Sequence, residues 1–449
     1  MKSTSRLTKG MFTILLGLIV VVFASDTFAQ DGTWETKAPM PVARITGAGG
    51  VINGKFYVVE GYLAGVGPTT SLHVYDPGTD TWDTTKASAL GPPRANAAAA
   101  VIGSKLYVAG GCINQYCNSG GTTNILEEYD SVTDTWTFKA PMPTPRNTAA
   151  AAAIDGKLYV VGGSPEYTAL ATLEVYDPAT DTWDTTKAPM PTARHEMGAA
   201  AIGGKLYVVG GAGSSLFGKL EVYDPATDMW DTTKAPMPTA RTDFGVGVIN
   251  GQLHVVGGND GVIFGLNTHE VYDPVSDTWT TEAPMPTPRV YLVADVINSK
   301  LYVAGGRSVS IEFIDVLEAF TRFAAPQSAG YWKTNAAATT PLLPVMLGNY
   351  TVDTFPNAQN VFKTMNCSIK SNNDAVGCLA GQLLAAKLNV ENGADPCINS
   401  TIESADAFLI SVGYIGPSGT YTLTKAERQS AIDLKTLLAN YNTGLGCAP

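Results

Sequence analysis

The chain has 449 residues, with 29 Lys and Arg against 40 Asp and Glu, and a formal net charge of -11. That acidity opposes binding to nucleic acid or to an anionic membrane surface. The length alone points to two or three domains.

The N-terminus places Lys2, Arg6 and Lys9 ahead of a 14-residue apolar run, Met11 to Ala24, followed by a small residue, Ala29. This is the pattern of a secretory signal peptide over residues 1–29, and the run is too short to span a bilayer comfortably. Its removal takes away three positive charges and one negative (Asp26), so -11 becomes -13. An exported chain, secreted or periplasmic, with no membrane insertion after cleavage is expected. The six cysteines, Cys112, Cys117, Cys367, Cys378, Cys397 and Cys447, lack the paired C-x-x-C spacing of a zinc site. Disulfides are therefore expected, Cys112 with Cys117 in one loop, and three connectivities open for the other four.

Next comes repetition. Trp34, Trp82, Trp136, Trp183, Trp230 and Trp279 are spaced by 48, 54, 47, 47 and 49 residues, the period of a β-propeller blade. Between them recur "PMPTAR", a small-residue stretch, "GKLYVVGG", a variable loop and "LEVYDPATDTW". From Arg44 to Lys55, and likewise from Arg94, Arg146, Arg194, Arg241 and Arg289, the register runs eleven positions without a gap. "KLYVV" closed by Gly-Gly suits a strand ending at a sharp bend, and Asp-Pro in "YDPATDTW" opens a tight turn between antiparallel strands. Propensity would make "NTAAAAAIDGK" helical, but the same register reads "ITGAGGVINGK" in the first copy, so an innermost strand is expected there.

These motifs resemble the kelch repeat over residues 31–322. The resemblance implies a mainly β fold, a six-bladed propeller over residues 30–322 with the N-terminal "GTWETKAP" as the last strand of the sixth blade and "IEFIDV" as its third. Past a linker at 323–329, residues 330–449 carry apolar residues at helical spacing in three segments, a mainly helical domain with four cysteines. Its "GYWK" and "LAGQLLAAKLNVENGA" resemble a C-terminal module of exported bacterial proteins. Tyr331 and Trp332 are read as core rather than as a sugar platform.

A side chain present in every blade is explained by the blade. On that ground the six arginines, the glutamates Glu127, Glu174, Glu221, Glu270 and Glu312, and the turn aspartates are scaffold, with Arg and Glu pairing. The position two residues after each arginine varies instead: Thr46, Asn96, Thr148, Glu196, Asp243 and Tyr291. If it rings the channel mouth, these six and the neighbouring His195 are ligand-binding candidates; the plain alternative is a solvated rim. Glu60, standing where the other blades have glycine, joins them. The loops after the double glycine are a further recognition surface.

The four histidines, His73, His195, His254 and His269, fall at four registers, so no metal site and no cofactor is expected. Galactose oxidase also has kelch blades, but its copper site needs two His and a Tyr linked to Cys, and both propeller cysteines here sit in one loop. The first reading is a non-enzymatic, monomeric binding protein for a glycan or protein partner. The alternative is a sugar-acting enzyme similar in class to the periplasmic kelch epimerase that mutarotates sialic acid, with Glu196 or Asp243 carrying a proton and Arg194 or Arg241 holding a substrate carboxylate.

Overall fold

A computed structural model describes residues 32–114, 120–166, 168–310, 312–323, 327–365 and 367–444. The expected signal peptide, Cys117 and Cys447 lie outside the described residues. Six four-stranded antiparallel sheets fill the repeat region. In the third, Ala150–Ile154, Lys157–Val161, Leu173–Asp177 and Thr182–Asp184 lie side by side in chain order. The alanine run is therefore an innermost strand, as the register argument requires.

Each innermost strand neighbours that of the next sheet, and Val293–Ile297 of the sixth neighbours Ala48–Ile52 of the first. Apolar side chains pack between sheets rather than within them. Tyr57, Val59 and Leu72 of the first sheet meet Leu106, Val108 and Tyr129 of the second. Phe56, Val58 and Tyr75 of the first sheet likewise meet Tyr302, Ala304 and Leu317 of the sixth. The sixth sheet takes its outer strand from Gly32–Lys37, antiparallel to Leu317–Arg322 with Trp34 opposite Phe320.

That pairing corrects one expectation. The third strand of the sixth sheet is "LEAFTR", not "IEFIDV", and the glutamate of the scaffold series is Glu318, whose carboxylate pairs with Arg289. Glu312 lies in the preceding loop and has no part in that pair.

The repeated Trp and the second Asp of "DPATDTW" have one shared task. Trp183 Nε1 donates to the carbonyl of Ala140 (2.8 Å), while Asp181 accepts the Ala140 N–H (2.9 Å) and the Tyr176 hydroxyl (2.5 Å). Both backbone groups of the segment entering the sheet are thus held by the turn that ends it. The Trp bond recurs at Trp34, Trp82, Trp136, Trp230 and Trp279.

The C-terminal region is helical, with Phe355–Lys363, Asn372–Glu391, Asn399–Ser411 and Lys425–Asn442 packed around a core that includes Trp332, Leu383 and Leu409. Ser371 with Asp374, and Thr424 with Glu427, form capping boxes that start the two longest helices. Trp332 is fully buried and donates to Asn389, which makes it a core residue, whereas Tyr331 is 37% exposed. Cys367 pairs with Cys378, and Cys112 and Cys397 are also disulfide-bonded. Among the described residues no helix is long and apolar enough to cross a membrane.

Candidate functional site

The six buried arginines position everything at one end of the axis. Arg194, with no exposed surface, donates to the carbonyls of Val208, Gly210 and Lys219 and pairs with Glu221 at 2.9 Å. Pairs of the same kind join Arg94 to Glu127, Arg146 to Glu174, Arg241 to Glu270 and Arg289 to Glu318. Arg194 and Arg241 are thereby spent inside their sheets, and the expectation that either holds a substrate carboxylate is corrected.

Immediately after each arginine the backbone forms a ladder with the residue that follows the double glycine. Ile45 pairs with Tyr62, Asn147 with Ser164, His195 with Ala212 and Val290 with Arg307. The next residue is then turned into the left-handed region. Thr46, Asn96, Thr148, Glu196, Asp243 and Tyr291 have φ of 51°, 56°, 51°, 57°, 56° and 61°. Such a conformation costs a non-glycine residue about 1 kcal/mol, and here it is held by hydrogen bonds.

Asn96 N donates to Thr46 O (3.1 Å), Thr148 to Asn96 (2.9 Å), Glu196 to Thr148 (3.0 Å), Asp243 to Glu196 (3.3 Å) and Tyr291 to Asp243 (3.0 Å). Thr46 N donates to Tyr291 O at 3.0 Å, so the series returns to its start. The variable position of the repeat is thus a circlet of six residues joined backbone to backbone, with their side chains free to differ.

The circlet lines a basin of about 330 Å³ together with His195, Tyr62, Asn147, Ser164, Glu166 and Arg307. On its inner side Met197, Phe244 and Leu292 line a neck, beyond which an axial cavity of about 530 Å³ is walled by the innermost strands of all six sheets. All seven channel-mouth candidates therefore meet in one place.

Electrostatics divide the basin. Burial pushes the Asp243 carboxyl well above the usual carboxylate range, and the charge of Glu196 beside it adds to the rise, against a hydrogen bond from Thr242. Burial and the same two carboxylates also raise the Tyr291 hydroxyl. His195 Nδ1 lies 3.5 Å from Glu196 Oε1. Arg307 stands with its guanidinium 5.4 Å from the centre of the Phe264 ring.

Glu60 is not in the basin. It is 1% exposed, and its carboxylate lies 3.1 Å from Arg94, which also holds Glu127 at 2.8 Å. Burial pushes it up to about 8, against the pull of Arg94. The reason lies in the first sheet, where His73 occupies the place of the scaffold glutamate, 3.5 Å from Arg44. With His73 neutral, Glu60 supplies the second carboxyl group that Arg44 and Arg94 require between them.

Two histidines do converge. His254 Nδ1 and His269 Nε2 are 2.9 Å apart on adjacent strands of the fifth sheet, buried beside Phe320. Registers compared between sheets do not show a pair formed within one. Among the described residues no group of three or more His, Cys, Asp or Glu side chains is placed to hold a metal ion.

The loops after the double glycine, expected as a further recognition surface, bring their first residues to the basin in three of the sheets, as Tyr62, Ser164 and Arg307. One feature was missed in the sequence. Asp295, six residues after its arginine where the other sheets have Gly50, Ala100, Ala152, Ala200 and Gly247, is, among the described residues, the one charged residue lining the axial cavity. Its Oδ2 accepts from Val51 N and its Oδ1 from Val296 N, both at 2.7 Å, and burial pushes it up to about 6. The register that singles out the circlet singles out this position too, since one sheet of six carries a charge there.

Comparison with known proteins agrees with this geometry. The KLHDC2/KLHL20/DRC7 Kelch-repeats domain matches residues 46–258, and the Kelch motif matches residues 240–286. The kelch-like protein terF of Aspergillus terreus is 42% identical over 96 residues, 20% of this chain and 21% of its own. Kelch-like protein 26 of Danio rerio is 30% identical over 173 residues, 38% of this chain and 27% of its own. Kelch repeat and BTB domain-containing protein 12 of Homo sapiens is 31% identical over 152 residues, 30% and 24% of the two chains. The alignments thus span 21 to 27% of these relatives' lengths. The solved structure of YjhT aligns with a TM-score of 0.54 at 19% identity, covering 62% of this chain and 95% of that one, a likeness of fold. Residues 46–286 of this chain are kelch repeats, and its repeat region belongs to the kelch β-propeller family.

Proposed function

We propose that the six sheets are the blades of one closed propeller, and that the chain is an exported bacterial protein, secreted or periplasmic, that binds a glycan or protein partner at the basin as a monomer. The observation that carries this reading is the circlet: six backbone units of identical conformation present six positions of differing polar chemistry around one basin. Kelch propellers are generally binding modules, and their fold alone does not name the ligand. Export is supported by the charged and apolar N-terminal pattern and by cysteines held in disulfides.

A glycan array and a pull-down against the source cell envelope test the proposal, with a saturable ligand weakened by circlet substitutions as the expected result. Absence of any saturable ligand in both overturns it.

One observation favours the second reading, a sugar-acting enzyme: Asp243 is a carboxyl group biased toward its protonated form beside Glu196. A carboxyl group of raised proton affinity beside a second carboxyl group is the arrangement of a proton donor and acceptor pair. In that case Asp243→Asn or Glu196→Gln abolishes anomer exchange followed by NMR, with the melting temperature unchanged. No exchange above buffer with any acidic or neutral sugar removes this reading.

A further inference from the structure

We propose that the basin is selective for a sugar bearing a primary ammonium group, seated between Glu196 and Asp243. This deepens the binding reading above and rests on it.

Charge comes first. The basin is lined by three carboxyl groups, Glu166, Glu196 and Asp243, and one guanidinium, Arg307, so one positive group faces three acidic ones, a formal -2 when all three are ionised and His is left out of the count. Glu196 and Asp243 occupy successive places in the circlet, and burial together with the charge of Glu196 raises the proton affinity of Asp243. The two arginines next to them in the chain cannot relieve this, since both are buried against Glu221 and Glu270. An arriving cation therefore replaces a carboxylate repulsion with two attractions.

The remaining lining supplies what a polyhydroxylated ring needs. Thr46 and Asn96, across the circlet from the two acidic residues, and Thr148, next to Glu196, bring hydroxyl and amide groups to the same lining. Ser164, only 4% exposed and part of the same lining, has a hydroxyl with no hydrogen-bond partner among the described residues. A buried hydroxyl left in that state favours a ligand that brings an acceptor or donor to it. Tyr291 adds an aromatic ring on which an apolar sugar face can rest. At about 330 Å³ the basin is at the small end of ligand sites, the scale of one or two sugar rings.

The test is calorimetric titration of the full chain with glucosamine, glucose and N-acetylglucosamine, which share a ring and differ at the ammonium. Glucosamine is expected to bind about tenfold or more tighter than the other two, the scale of one hydrogen-bonded charge pair. Repeating the titration over a pH series in buffers of different ionisation enthalpy should show proton release on binding, because an ammonium beside Asp243 opposes the rise that burial and the Glu196 charge give its carboxyl group. Glu196→Gln and Asp243→Asn, which keep shape and suit the left-handed backbone, should remove the preference and, for Asp243→Asn, the proton release, with the melting temperature held as the folding control. Equal affinity for the three sugars overturns the ammonium assignment and leaves the basin as a glycan site. No binding of any of them also overturns it, while the binding reading is decided separately by the array and the pull-down.

Discussion

Glu60 makes the stability of the first two sheets depend on pH. Its carboxyl group is buried, sits at φ 58° where five sheets have glycine, and titrates near 8 instead of at the ordinary 4.5. A group whose folded pKa is raised contributes stability that is complete below its unfolded pKa and is lost as pH rises through the folded value. The window is therefore 4.5 to about 8. Between pH 6 and pH 9 the unfolded chain is already deprotonated, and the folded chain follows only near pH 8, leaving about two units of uncompensated titration. At 1.36 kcal/mol per unit this is about 3 kcal/mol. Glu60→Gln keeps the volume and deletes the titration. In denaturant titrations at pH 6 and pH 9 and fixed salt, the parent should lose about 3 kcal/mol more than the variant. Other titrating groups cancel in the difference, and His73, pushed down to about 4, is neutral throughout. Equal losses in the two proteins, or a larger loss in Glu60→Gln, refute the placement of a buried carboxyl group beside Arg94.

Other outcomes follow from the same geometry. The pair Glu60→Gly with His73→Glu restores the repeat pattern, so the double variant should be more stable than the sum of the singles predicts, by about 1 to 3 kcal/mol in a double-mutant cycle. Arg194→Met strands Glu221 in the interior and should cost about 3 to 5 kcal/mol, while Arg194→Met with Glu221→Leu recovers most of it; a silent single variant refutes the buried pair. Trp183→Phe deletes the Nε1 bond to Ala140 together with part of a ring packed on Tyr176, and should cost about 1 kcal/mol or more on denaturation; no change would mean that neither adds anything net. For Asp295, pushed up to about 6, stability should fall as pH rises from about 4 to 6, and Asp295→Asn should flatten that part of the profile.

The repeat made most of the scaffold legible. Six copies with one gapless register outweighed the helical preference of the alanine run, because a propensity of tenths of a kcal/mol per residue yields to the burial of a strand between neighbours. The circlet was legible for the same reason, since its positions vary where everything around them is constant. What escaped were relations between departures. His73 for a glutamate and Glu60 for a glycine each look like decay of the first copy, and only their places around Arg44 and Arg94 show that one offsets the other. "IEFIDV" resembles a third strand, yet Glu312 follows Arg289 by 23 residues, whereas the pairs Arg146 with Glu174, Arg194 with Glu221 and Arg241 with Glu270 are separated by 28, 27 and 29. Glu318, at 29, satisfies the reach of a buried ion pair.

The circlet has an evolutionary consequence. Its six units are joined through N–H and C=O groups, which every amino acid here possesses, so exchanging one side chain leaves the joint intact. Selectivity is thereby separated from folding: each copy contributes one independently replaceable position, and a new ligand preference can arise by single substitutions without renegotiating the core. The limit on this freedom is conformational, because the left-handed backbone admits Asn, Asp and Gly most readily and resists Val and Ile. Homologous propellers should therefore differ at these six places first, with Asn, Asp and Gly favoured beside the Thr, Glu and Tyr that this chain carries there.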